Sequence, residues 1–296
     1  MKALTRLQVT WTLISIPPVI AGWFIGGIFG LEVYILLLIL LIMIAIYIFI
    51  YRSSDNVLLH RHHAKSLEGD IDDLLDMVSE LSESINIPKP KVYTSDLPMP
   101  NLMVVGRTAE RTSIVMTGKI WELLDKEELR AAFAYEMSRI KNDDILISSI
   151  VAMVCGSLTA LATVAMWALI FIGFGQENDP GPILVRFFVM SLVAPPVALI
   201  IQLTSKESRV LEADEEAIQM IRDPQKLSSA LRKLQTIQTK LRSKDYYVNP
   251  SYVHLFIVNP PQENFFRLIG LDLPTYNLLF RTHPRIDKRV RRLKYA

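Results

Sequence analysis

The sequence predicts an α+β membrane protein, mostly helical, in which two transmembrane helical hairpins carry one cytosolic domain with a small β-sheet. Three observations lead there. The first is four charge-free runs: Leu7 to Leu31, Val33 to Tyr51, Ile145 to Gln176 and Phe187 to Ser205. A helix needs roughly 20 apolar residues to cross the hydrocarbon core. The second is the placement of Lys and Arg. Lys2, Arg6, Arg52, Arg61, Lys65, Lys141, Lys206 and Arg209 all fall on one side of those runs, which the positive-inside rule makes the cytoplasm. The third is the patterning of the polar segments, where helical periodicities flank three short β-like runs.

The expected organisation follows. Residues 1–51 form the first transmembrane hairpin and residues 145–205 the second. Residues 52–144 and 206–296 are the two halves of one cytosolic domain. Pro17-Pro18 and Pro195-Pro196 weaken the first and fourth spans, because each proline removes a backbone donor that neighbours must make good. With 51% hydrophobic residues and a net charge of +2 among 296 residues, the chain is too apolar for a purely soluble protein. It also has no charge excess that would point to nucleic acid. Its partner is the lipid bilayer. The single Cys155 excludes an intramolecular disulfide.

Within the polar segments, Ile71, Leu74, Leu75, Val78 and Leu81 recur at helical spacing, and Pro88 and Pro90 close that helix. Lys91 to Thr94, Leu102 to Val105 and Ser113 to Thr117 read as strands, the last two separated by a turn at Gly106. Gly118 to Leu124 is a short helix. Asp125 caps a longer one, with Glu127 and Glu128 in its first turn. Lys206 to Arg222 is helical. Pro224 opens a further helix to about Lys240, and Pro284 opens the last.

The helix after Asp125 contains Ala134-Tyr135-Glu136-Met137-Ser138-Arg139-Ile140-Lys141-Asn142-Asp143. This resembles the active-site helix of HtpX-type membrane metalloproteases, A-H-E-x-x-H-x-x-N-x-D. Pro100-Asn101 and Gly106-Arg107 resemble that family's P-N-A-F-A-x-G-R strand. Ser208-Arg209 with Ala213-Asp214 resembles its S-R-x-x-E-x-x-A-D helix. Asp223-Pro224, Leu227 and Ala230-Leu231 resemble the segment after it, and Thr282-His283-Pro284 and Arg291-Arg292-Leu293 its C-terminus. The likeness runs over nearly the whole chain and implies a metallopeptidase-like cytosolic domain.

The departures lie at the metal. Where the family has two His at i and i+4, this chain has Tyr135 and Arg139. Its third ligand, a Glu four residues before the Asp of A-D, corresponds to Val210. A guanidinium has no lone pair to give and valine has no donor atom, and a phenol with a pKa of about 10 is a poor ligand at neutral pH. Only Glu136, the family's general base, is kept. The resemblance therefore implies a member with all three ligand positions changed, a pseudopeptidase without a cofactor. Zinc enters only under the alternative that unusual ligands serve.

Five histidines are candidates for such ligands. His60, His62 and His63 read as a solvated juxtamembrane stretch, His254 as packed among aromatics, and His283 as a cap or surface residue. Arg139 lies three residues from Glu136, on the same helical face. We read it as the cation that replaces the metal charge beside Glu136 and Asp214. The resemblance further implies that an extended peptide adds to the edge strand Asn101, Leu102, Met103, Val104 and Val105. On this reading the chain is a binding, adaptor or regulatory subunit, with unfolded or membrane proteins as clients, in membrane-protein quality control. The alternatives are an active metalloendopeptidase with other ligands and a structural subunit of a membrane complex.

Overall fold

The computed structural model describes residues 3–67, 72–171, 200, 207–242, 248–260 and 282–294. Helices α1 (Ala3–Phe29) and α2 (Glu32–Arg61) lie side by side, joined at Gly30 and Leu31. Pro17 and Pro18 do not interrupt α1. Trp11 meets Tyr47 edge-on at 4.4 Å between ring centroids. Helix α2 is long and apolar enough to cross a membrane, the one helix among the described residues that meets both measures. Its Val33, Leu37, Leu41 and Phe49 point outward. It continues ten residues past Tyr51, so the junction with the polar domain is itself helical.

The expected second hairpin is described only in part. Helix α6 (Asp144–Phe171) covers its first arm. The return run Phe187 to Ser205 lies outside the described residues apart from Ile200.

Four strands form one sheet in the order β1-β2-β4-β3: β1 (Ala64–Ser66), β2 (Lys91–Ser95), β3 (Asn101–Gly106) and β4 (Thr112–Thr117). β2 and β4 are parallel, with Val92 opposite Ile114. β3 and β4 form an antiparallel hairpin in which Asn101 faces Thr117 and Gly106 faces Thr112. Strand β1 was not foreseen. Three partly exposed residues after a left-handed His63 carry no alternating pattern to read.

Helix α3 (Asp72–Ser84) and the short α4 (Ile120–Leu123) flank the sheet and α5 (Lys126–Lys141) packs on it. At Gly118, φ is +57° and a Cβ would lie 2.3 Å from the Met99 and Pro100 backbone, so only glycine fits between β4 and α4.

Asp125 starts α5 with a capping box. Its Oδ1 accepts from the Glu128 amide at 2.8 Å, and the Asp125 amide donates to Glu128 Oε2 at 2.9 Å. Glu128 also accepts from Ser229 and Lys233 of α8 (Pro224–Arg242), so the cap ties α5 to α8. Ala131, Ala132 and Ala134 are fully buried, and their small side chains let α7 (Glu207–Ile221) approach. There the Ser138 hydroxyl donates to the Ala213 carbonyl at 3.1 Å. Helix α9 (Ile286–Leu293) closes the domain against α7 and α8.

Candidate functional site

The site is built on α5, which the capping box and the alanine face hold deep in the domain. Tyr135 and Glu136 are fully buried and Arg139 nearly so. Arg139 Nη1 donates to Glu136 Oε2 at 2.8 Å and to the Leu255 carbonyl at 3.0 Å, and its Nη2 donates to the His254 carbonyl at 3.3 Å. Asp214 is not Arg139's partner. Arg289 of α9 holds it with two bonds, Nε to Oδ2 at 2.8 Å and Nη2 to Oδ1 at 2.7 Å, and donates Nη1 to the Ile257 carbonyl at 2.6 Å. The Arg289 guanidinium also lies over the Tyr135 ring, 4.8 Å from its centroid. Val210 packs, half-buried, against the core.

Arg289 was missed in the sequence, although a signal exists. In α9 the buried positions are Ile286, Arg289, Val290 and Leu293. An arginine on the apolar stripe of an amphipathic helix has to find an acceptor inside the fold.

Burial raises the Glu136 carboxyl to about 7, against the pull of Arg139 and Arg289. It also pushes the Tyr135 phenol up and draws His254 down to about 4. Arg139 keeps its charge, because Glu136 offsets its burial. His254 bonds through Nε2 to the Ser148 carbonyl at 2.9 Å. His283 is buried, with Nδ1 at 2.8 Å from the Thr282 hydroxyl, and so is not the surface residue expected. His60 and His63 are exposed, while His62 is buried against Tyr252 and Phe256 at 5.1 and 6.0 Å between ring centroids. The solvated reading therefore applies to the first two only.

Strand β3 ends the sheet, but all six of its residues are buried. Its outer edge is covered from within the chain. The Ile257 amide donates to the Leu102 carbonyl at 2.9 Å, Met103 and Phe256 form an isolated antiparallel bridge, and Asn101 Nδ2 donates to the Val258 carbonyl at 2.8 Å. At the far end the Gly106 amide donates to Ser149 Oγ of α6 at 3.0 Å. Asn101 to Val105 is thus an edge by topology that the segment around Phe256 already occupies.

The chain matches peptidase family M48 over residues 70–296. It is 36% identical over 247 residues to a protease HtpX homolog of Syntrophobacter fumaroxidans, covering 82% of this chain and 83% of that one. It is 33% identical over 279 residues to a protease HtpX homolog of Desulfatibacillum aliphaticivorans, covering 94% and 84%. Among solved structures, the crystal structure of S. mikatae Ste24p matches with a TM-score of 0.50 and 16% identity, a likeness of fold. That match takes in 98% of this chain but 64% of the longer one.

These matches correct the expectation that the chain has no cofactor: HtpX-type M48 peptidases are zinc metalloproteases, so zinc is the cofactor implied. The donors on this helix do not fit it. A catalytic zinc takes three protein ligands and one open position. Among the described residues no cluster of three His, Cys, Asp or Glu side chains exists. Glu136 is bonded to a guanidinium whose charge opposes a dication, and Val210 has no donor atom.

Proposed function

The chain belongs to peptidase family M48 in its HtpX branch, and from that premise we propose that it is a membrane-anchored member whose Glu136 cleft does not hydrolyse peptides. It serves instead as a binding, adaptor or regulatory subunit for unfolded or membrane-protein clients in membrane-protein quality control. The single observation that carries this is the Arg139–Glu136 ion pair. Arginine stands where the family's motif has its second metal-binding histidine, and it occupies the carboxylate that would otherwise take a proton from water. A general base needs a free lone pair within hydrogen-bond reach of its water. Here Arg139 takes Oε2 and also grips two backbone carbonyls, while Oε1, though without a partner among the described residues, is buried.

On the same reading Tyr135, Arg139 and Val210 are the altered ligand positions, and Asp214 is a former support of the metal shell now paired to Arg289. Asn101 to Val105 is the client-binding strand. Residues 52–144 and 206–296 are the cytosolic domain of a multi-pass protein of the cell membrane, as the excess of flanking Lys and Arg on that side, against Arg186 on the other, supports.

A second reading keeps an active metalloendopeptidase with other ligands. It is favoured by the relatives named proteases. It is also favoured by three buried polar atoms, Tyr135 OH, Glu136 Oε1 and His254 Nδ1, that have no hydrogen-bond partner among the described residues. One assay separates the two: the full-length protein in detergent micelles, supplied with zinc, is tested on casein and a quenched peptide beside Glu136→Gln. We expect the two proteins to be indistinguishable. Hydrolysis that a chelator stops and Glu136→Gln abolishes would establish the second reading.

A further inference from the structure

The segment Ser251–Val258 is built differently from the strands beside it. Residues Pro250–Leu255 form a 3-10 helix and only Phe256 to Val258 run along β3. Every residue from Ser251 to Val258 is buried, and the segment shares one isolated bridge with β3 rather than a ladder. Side chains hold its backbone. Arg139 takes the carbonyls of His254 and Leu255, Arg289 that of Ile257, and Asn101 that of Val258. The outer groups of an edge strand are a template for a further strand, and here a piece of the same chain lies on that template. The side chains of the part on the edge, Phe256, Ile257 and Val258, show the apolar chemistry the edge accepts.

We propose that Phe256 to Val258 is a built-in occupant of the β3 edge, latched together with the 3-10 helix before it by Arg139 and Arg289, so that an extended apolar peptide adds to Asn101–Val105 only after this strap lifts. The proposal rests on reading Asn101–Val105 as the client strand, and it is independent of whether the cleft hydrolyses anything. It gives Arg139 a second task. The guanidinium that neutralises Glu136 also closes the edge, so the ion pair and the strap open together. A client whose strand makes a full ladder along β3 offers a longer run of backbone bonds in place of the single Ile257–Leu102 backbone bond, while the strap gives up its side-chain bonds to Arg139, Arg289, Asn101 and Gln238.

Native-state hydrogen exchange on the wild-type full chain tests the latch without any variant. The Ile257 amide is expected to exchange by local opening, faster than the Ile114 to Met116 amides of β4. Exchange of Ile257 only at the rate of β4 would make the strap part of the core and overturn the proposal. Glu136→Gln combined with Arg139→Met removes the latch without leaving a lone charge. In that double variant Ile257 exchange is expected to rise by about tenfold or more, and a labelled synthetic peptide of the Ser251–Val258 sequence to bind about tenfold more tightly than to wild type. Equal binding to both proteins overturns the gate. No binding to a variant whose strap has opened overturns the client-strand reading and the gate with it. Neither result touches the hydrolysis assay, so the two failures are distinguishable.

Discussion

Glu136–Arg139 closes within one helix, three residues apart, through one oxygen, whereas Asp214–Arg289 joins helices 75 residues apart and satisfies both oxygens. Both pairs are buried, both arginines also reach backbone carbonyls of the strap, and both lie beside Tyr135. Yet they do different work. The bidentate pair ties α9 to α7 and so fixes the C-terminal helix to the domain. The single-contact pair fixes nothing beyond its own helix and the strap, and its carboxyl titrates near neutrality. One pair is a fastening between elements; the other is a charge filled in at one point on a helix.

The largest effect is expected at Arg289. Arg289→Met leaves Asp214 buried and uncompensated, and removing one partner of a buried pair costs about 3–5 kcal/mol. The melting temperature of the detergent-solubilised protein should fall sharply, and Asp214→Asn in the same chain should restore much of it. A loss under about 1 kcal/mol, the worth of an exposed pair, would erase the contrast between the two pairs.

Arg139→Met should cost less, on the order of 2–3 kcal/mol at pH 8, because Glu136 already sits near neutrality and can protonate. The sign follows from the raised carboxyl. Its stabilising neutral form is fully present below pH 4.5 and lost as pH rises through about 7. Without Arg139 that upper limit moves higher still. The deficit of Arg139→Met relative to wild type should therefore shrink from pH 8 to pH 6, and Glu136→Gln should remove the pH dependence. A deficit equal to that of Arg289→Met at every pH would show that the single-contact pair is a fastening too.

The smallest effect concerns the strap's outer side, where neutral His62 packs between Tyr252 and Phe256. Burial lowers His62 to about 4, so its contribution is present above about 6.5 and lost as pH falls toward 4. His62→Phe keeps the aromatic contact and removes the titration. Urea unfolding should find it close to wild type at pH 7.5 and more stable by roughly 1 kcal/mol at pH 5.5. An unchanged acid limb would mean that strap stability is set by the arginines alone.

These pairs also mark how far the sequence could be read. Glu136 and Arg139 lie three residues apart on a helix with a clear cap, so their meeting follows from helical geometry and from the cost of a buried lone carboxylate. Asp214 and Arg289 carry no local sign of each other. The sequence offers only an arginine on the apolar face of α9.

The same division runs through the molecule. Periodicity, prolines, the Asp125 capping box and the apolar runs are local, and they determined α3, α5, α7, α8, the β3–β4 hairpin and the apolar character of α2. The ordered motifs determined the family. Tertiary structure alone decided that β1 pairs with β2, that Arg289 rather than Arg139 takes Asp214, that His62 and His283 are buried, and that Phe256 to Val258 cover the edge of β3. The physical reason is range. Helix caps and apolar spacing act over a few residues and are written in them, whereas a carbonyl held by a guanidinium more than a hundred residues away exists only once the chain has closed on itself.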